Sequence, residues 1–143
     1  MTTPRAIKTA LNEQFARIGK ALASPRRIEL LDLLAQGEHS VETLAAGADM
    51  SVTLTSSHLQ ALRGAHLVDT RRDGARIFYR LAGDDVLELL TALRAVAHGR
   101  LAEVEQVVWA YFGAPDELEP IGRDEVGQFQ ATGLRAQAPW THR

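Results

Sequence analysis

The chain has 143 residues, 45% of them hydrophobic, with no cysteine and a formal net charge of −2. That length and apolar content fit one domain with a modest core, and the missing cysteines exclude disulfides, thiolate chemistry and a cysteine sensor. The charge is unevenly divided: residues 1–83 hold 11 Lys and Arg against 8 Asp and Glu, net +3, while residues 84–143 hold 5 against 10, net −5.

In chain order, Ile7, Leu11, Phe15, Ile18 and Leu22 recur at threes and fours and predict an amphipathic helix. Ser24-Pro25 reads as an N-cap followed by proline at the first helical position, and Ile28, Leu31 and Leu34 continue a second helix up to Gly37. Arg26 and Arg27 at its start suit either phosphate contact from the domain edge or plain solvation. Ser40 to Gly47 predicts a short helix, with Ser40 as N-cap and Glu42 near the positive helix end. After an Ala48-Asp49 turn, Ser51 to Ala65 predicts another, whose Thr55, Leu59 and Leu62 form a packing stripe. The opposite face carries Val52, Thr53, Ser56, Ser57 and Gln60. These are small or short polar groups able to approach base edges in a major groove, and no carboxylate among them would repel phosphate. Leu67 to Leu81 then reads as two β-prone runs around Asp73-Gly74, taken as a two-residue hairpin turn. From Arg63 to Arg80 the basic residues are Arg63, Arg71, Arg72, Arg76 and Arg80 against Asp69 and Asp73, a net +3 that a phosphate backbone attracts.

Two short helices, a turn between them and an Arg-rich hairpin form a DNA reader. Thr53, Ser56, Ser57 and Gln60 are the expected base-reading residues, and Arg63, Arg72 and Arg76 the expected backbone contacts. The acidic remainder suits a surface turned away from DNA.

From Asp84 to Phe112, Val86, Leu90, Leu93, Ala97, Leu101, Val104, Val108 and Tyr111 fall in a nearly heptad seam, opened by Asp84 and closed by Gly113 and Pro115. One helix of that length would run roughly 43 Å at 1.5 Å per residue, longer than a small domain needs. Its surplus stripe predicts a second copy as partner, with Leu11, Phe15, Leu90, Leu93, Leu101, Val104 and Val108 at the dimer interface. The alternative is a helix folded back over its own core. A two-fold dimer would set its recognition helices roughly 34–36 Å apart, one turn of DNA. Residues 1–113 are therefore expected as one domain. Residues 114–143, with scattered prolines and glycines and no sustained stripe, are expected as a flexible tail whose Trp140 either docks on the dimer or is disordered.

Leu22-Ala23-Ser24-Pro25-Arg26-Arg27-Ile28, Gly37, Ser56-Ser57-His58-Leu59-Gln60-Ala61-Leu62 and Arg72-Asp73-Gly74-Ala75-Arg76-Ile77-Phe78-Tyr79-Arg80-Leu81 together resemble the ArsR-type winged helix-turn-helix repressors of bacteria. The resemblance implies a mainly α fold with a small β-hairpin and long terminal dimerisation helices. It also implies a homodimer on a partly palindromic operator, repression of transcription and, in many members, release on binding a metal or another inducer. The family's Cys-x-Cys metal pair falls here on Ser40 and Glu42, and its dimer-helix ligands fall on Gly83, Asp85, Val96 and Gly99, so one ligand survives. Asp84, Asp85, Glu88, His98 and Glu103 form either an unrelated site across a dimer or, as is usual for charges on a long helix, a solvated face. The expectation is no metal and no cofactor. His58 either packs partly, as the family's histidine there does, or reaches DNA. Leu54 departs from the family's small polar residue, either touching a thymine methyl or being buried by a slight helix rotation, and Gly47-Ala48-Asp49 departs from its usual turn. Asp116 to Ile121 is similar to the joint that leads into a rhodanese domain in some relatives; with no cysteine in the chain, a catalytic domain of that kind is not expected.

No phosphate loop, dinucleotide fingerprint or zinc-protease motif is present, so an enzyme is not expected. The expected partners are double-stranded DNA, a second copy and an unidentified small-molecule inducer. Without a signal peptide after Met1 or an apolar run of membrane length, the expected place is the cytoplasm, with no membrane partner. Two other readings remain: a winged-helix protein-interaction module whose basic wing meets an acidic protein, and a DNA-binding dimer with no ligand switch.

Overall fold

Each helix of the amino-terminal unit begins on a hydroxyl. In the computed structural model, which describes residues 3–112, the side chains of Thr3, Ser24, Ser40 and Ser51 accept from the backbone N–H of Ala6, Arg27, Thr43 and Leu54. They open α1 (Pro4–Leu22), α2 (Pro25–Ala35), α3 (Val41–Gly47) and α4 (Val52–Gly64). Each such cap satisfies an orphan donor and stabilises by about 1 kcal/mol. Proline follows the cap in α1 and α2, where its missing N–H costs nothing. The caps at Ser24 and Ser40 agree with those read from sequence, and Thr3 and Ser51 add two that were not. The tail expected at 114–143 lies outside the described residues.

α3 and α4 also end alike. Met50 N–H bonds to Ala45 C=O at 2.9 Å and Asp49 N–H to Ala46 C=O at 3.3 Å; Leu67 N–H bonds to Leu62 C=O at 3.1 Å and His66 N–H to Arg63 C=O at 2.9 Å. Both sets are Schellman closures, which need a left-handed residue just past the helix. Asp49 takes it at φ 53° and His66 at φ 61°. Asp49 thus completes the helix-turn-helix turn without the glycine usual at such positions, as short polar residues can.

The wing is β2 (Val68–Asp73) and β3 (Arg76–Leu81), paired antiparallel from Val68↔Leu81 to Asp73↔Arg76. Asp73 is therefore a strand residue, and the two-residue turn is Gly74-Ala75, one position later than expected. Gly74 is left-handed at φ 62° and Ala75 is not, the pattern of a II′ turn, which needs glycine only at its first central residue. A third strand, β1 (His39–Ser40), pairs with Tyr79 and Phe78 on the other side of β3, giving the order β1-β3-β2.

The core of this unit is leucine-rich: Leu30, Leu31 and Leu34 from α2, Leu44 from α3, Leu59 and Leu62 from α4, with Val68 and Tyr79 from the wing. Each leucine removed from water contributes about 1.5–3 kcal/mol. Thr55 completes the buried stripe of α4, its hydroxyl donating to Ser51 C=O at 2.8 Å. These elements make a winged helix-turn-helix.

Residues from Asp84 onward form a second unit. Its described part is two helices, α5 (Asp84–Arg100) and α6 (Ala102–Phe112), not the single helix expected. The break at Leu101 follows Gly99, whose missing side chain costs a helix interior about 1 kcal/mol relative to Ala. Leu101 N–H still reaches Ala97 C=O at 2.8 Å, but Val104 N–H closes on Leu101 C=O three residues back, at 3.1 Å, as a new helix start. α5 alone spans roughly 26 Å. Val86 and Leu90 are buried, whereas no residue of α6 is. Among the described residues no helix is long and apolar enough to cross a membrane.

Candidate nucleic-acid interface

On α4 the stripe Thr55, Leu59 and Leu62 faces the core, each at 0% exposure, so the opposite face is turned outward. Thr53, Ser57 and Gln60 are exposed there and Ser56 is half-buried beside them. At 100° per residue the four lie within roughly 100° of helix circumference. The expected base-reading set is thus brought onto one face. Val52 and Leu54 flank it and are half exposed, which leaves Leu54 outward and not buried by a rotated helix. Arg63, in the last turn, is exposed and lies close enough to Tyr79 to oppose the rise that burial imposes on that phenol.

The wing's arginines divide by strand face, because side chains alternate across a strand. Arg71, opposite Phe78, is on the outer face with Arg76 and Arg80. Its guanidinium bonds to Glu38 at 2.6 and 2.7 Å, lies 3.9 Å from Asp73 and stacks 4.5 Å over the Phe78 ring. The hydrogen bond from Arg71 holds the Glu38 carboxyl below its ordinary range. Arg76 donates to Ser40 Oγ at 3.1 Å and lies 5.3 Å from the same ring. Ser40 Oγ also accepts from Thr43 N–H and donates to Thr43 Oγ1, so its capacity is filled. The arginine expected as a backbone contact at position 76 is thereby tied to the start of α3 and Phe78. Arg72, opposite Ile77, is on the other face, in line with Val68 and Thr70, and is exposed near the tip. Of the expected phosphate contacts, Arg63 and Arg72 are the two that are exposed and have no described side-chain partner.

Three further arginines hold the reader from behind. Arg17 of α1 donates to Gly64 C=O at 2.9 Å, placing a cation at the negative end of α4. Arg26 donates to Ala48 C=O in the turn at 2.9 Å, and Arg27 Nε donates to His58 Nδ1 at 3.2 Å. Both are structural ties, a role the sequence reading did not foresee, and Arg26 also keeps 51% of its side chain exposed. His58 is half-buried, packed as the first of its two readings had it.

The expected dimer residues fall in both units. Leu11 and Phe15 are 52% and 64% exposed on α1, and Leu93 and Leu101 are 37% and 52% exposed. Val104 and Val108 are half-buried. Leu90 is a correction: at 0% exposure it has no surface left to offer a second copy. No three of His, Asp and Glu converge as a metal cluster among the described residues. Of the family's metal positions, Ser40 Oγ is bonded to Thr43 and Arg76, and Asp85 Oδ1 accepts from Val86 N–H.

The sequence profile of the bacterial regulatory proteins of the arsR family matches residues 24–70, from the cap of α2 into β2. An HTH-type transcriptional regulator of Mycobacterium tuberculosis is 42% identical over 132 residues, 90% of this chain and 58% of that protein. The biofilm growth-associated repressor of Agrobacterium fabrum is 48% identical over 77 residues, 54% of this chain and 66% of that one. The chain thus spans 58–66% of the length of these curated relatives. Among solved structures, the homodimeric winged helix-turn-helix DNA-binding domain of a possible ArsR-family transcriptional regulator from Mycobacterium bovis has a TM-score of 0.65 and 47% identity, with 72% of this chain and 94% of that one covered. The profile match falls on the reader, and nearly all of that solved domain is covered by this chain; the chain belongs to the arsR family of bacterial regulatory proteins.

Proposed function

We propose that the chain is a homodimeric, sequence-specific DNA-binding transcriptional regulator that represses at an inverted-repeat operator. The observation that carries this reading is the outward face of α4, where Thr53, Ser57 and Gln60 stand opposite a fully buried stripe. With Ser56 beside them, these hydroxyls and one amide can donate or accept as each base requires. Arg63 and Arg72 hold phosphates on either side of the groove; Arg76 positions the wing. Relatives named as repressors and regulators support the same role.

Dimerisation is proposed through the exposed stripe Ile7, Leu11 and Phe15 of α1 and through Leu93, Leu101, Val104 and Val108 of α5 and α6. The likeness to a domain described as homodimeric supports it. The reading includes no catalysis, cofactor or resident metal, and it places the protein with the chromosome in the cytoplasm. Selection of bound duplexes from a random pool, with the winners titrated at two salt concentrations, tests it. An enriched inverted repeat with steep salt dependence is expected. No enrichment, with weak binding at both concentrations, overturns it and favours a protein-interaction module.

A further inference from the structure

Behind the reading helix, where α1, α2 and α4 meet, lies an open pocket of about 240 Å³. Its polar lining is cationic: Arg17 and Lys20 of α1 and Arg27 of α2, with no carboxylate among the lining residues. The α4 side is Ala61, Gly64 and Ala65, whose small side chains leave the space open, and a Cβ built on Gly64 would meet nothing within 4 Å. Lys20 is exposed and has no hydrogen bond or ion pair from its side chain among the described residues. Three like charges around a solvent-filled hollow repel one another, and an anion between them relieves that repulsion.

The two arginines are also the ties that hold α4. Arg17 spends one N–H on Gly64 C=O and Arg27 spends Nε–H on His58 Nδ1. Both acceptors are neutral, and an ionised oxygen forms hydrogen bonds roughly twice as strong. An anion that takes the remaining N–H groups of these guanidinium groups draws them toward the pocket and so pulls on the bonds that seat the recognition helix.

The pocket residues of α1 lie away from the stripe proposed for dimerisation. Taking Leu11 as the centre of the outward stripe Ile7, Leu11 and Phe15, Arg17 and Lys20 lie roughly 120° and 180° around α1 from it. At 240 Å³ the space falls below the roughly 300 Å³ at which pockets begin to take drug-sized ligands, so it suits a compact solute and not a nucleotide.

We propose that the Arg17, Lys20 and Arg27 pocket is an effector site for a small phosphate-bearing anion, and that its occupancy loosens α4 and weakens operator binding. This rests on the DNA-binding reading for its consequence but not for the binding itself. By linkage, operator DNA lowers the anion's affinity by the same factor as the anion lowers the operator's.

The test has two arms, using the full chain and its Lys20→Met variant. In the first, pyrophosphate and inorganic phosphate are titrated without DNA at constant ionic strength, followed by calorimetry and by amide shifts. Saturable binding centred on Arg17, Lys20, Arg27 and Gly64, weakened at least about fivefold by Lys20→Met, is expected. No saturation up to about 10 mM, or equal binding by the variant, overturns the site. In the second arm, operator affinity is measured with and without pyrophosphate, with chloride matching the ionic strength. A loss of about fivefold or more in the parent chain that is absent in Lys20→Met is expected. If Lys20→Met weakens operator binding about tenfold with no anion present, the pocket holds the DNA backbone and the effector role is wrong. Failure to bind any DNA sinks the regulator reading while leaving the first arm's answer intact.

Discussion

Arg71 and Arg72 are adjacent, equally charged and within three residues of the wing's turn, yet the strand turns them to opposite faces. Replacing either by alanine removes the same charge from the dimer, so long-range attraction to DNA falls about equally. A direct phosphate contact adds something only one of them can lose. Each neutralised phosphate contributes about 0.9 to the slope of log K against log salt, so losing Arg72 from both wings should flatten the slope by about 1.8. Across a fourfold rise in salt, from 50 to 200 mM, a change of about 1.8 makes the parent lose about twelvefold more affinity than Arg72→Ala does. Arg71→Ala should leave the slope close to the parent's, because its guanidinium is already held by Glu38, Asp73 and the Phe78 ring. Fluorescence anisotropy on the selected operator at four salt concentrations measures all three slopes. Equal flattening by both variants, or none by Arg72→Ala, refutes the division of the wing into a contacting and a latched face.

Gln60→Ala should lose discrimination at one base position per half-site by about 1–3 kcal/mol, read by competition with single-base variants; equal losses on operator and random DNA would remove Gln60 from base reading. Phe15→Asp should sediment as a folded monomer with far-UV dichroism unchanged, since Phe15 is 64% exposed in the single chain; a surviving dimer moves the interface elsewhere. Leu59→Ala, at a site with no exposure, should cost about 2–5 kcal/mol in denaturant unfolding. Glu38 titrates below its ordinary 4.5 because Arg71 bonds its carboxylate. The unfolded chain then binds the extra proton first, so the pair's contribution is complete above 4.5 and lost as pH falls through the lower folded-state value. Glu38→Gln should flatten that part of the acid-stability curve, and an unchanged curve would deny the pair a role in the fold.

What could be read directly from the sequence was local. Thr55, Leu59 and Leu62 announce their stripe within two turns of helix, and Ser24 and Ser40 cap donors three residues on. A two-residue strand such as β1 carries no period at all and exists because Phe78 and Tyr79 present a free edge. The hairpin turn slipped by one because Asp73-Gly74 and Gly74-Ala75 both satisfy turn chemistry, and cross-strand pairing chooses between them. The break at Leu101 was hidden because spacing of apolar residues continues through a single non-helical position. The fates of the arginines were least legible: Arg17 meets Gly64 across 47 residues and Arg71 meets Glu38 across 33.

Those distant ties change what the positive charge of residues 1–83 means. A net +3 invites the picture of a uniformly basic surface. In the folded unit, Arg17, Arg26 and Arg27 donate to the end of α4, the turn before it and His58 within it. Arg71 and Arg76 are spent on Glu38, Ser40 and Phe78. Preorganisation is the gain: side chains and loops already ordered before binding do not have to be ordered at the interface, which costs about 0.5–1.5 kcal/mol for each immobilised long side chain. On the proposed reading, the same arrangement leaves few guanidinium groups to face DNA, which would lower sequence-independent attraction and give the hydroxyls and amide of α4 a larger share of the discrimination. A reader built this way depends on its rear ties as much as on its front. Small changes at Arg17 or Arg27, far from any base, should therefore be felt as lost specificity before they are felt as lost fold.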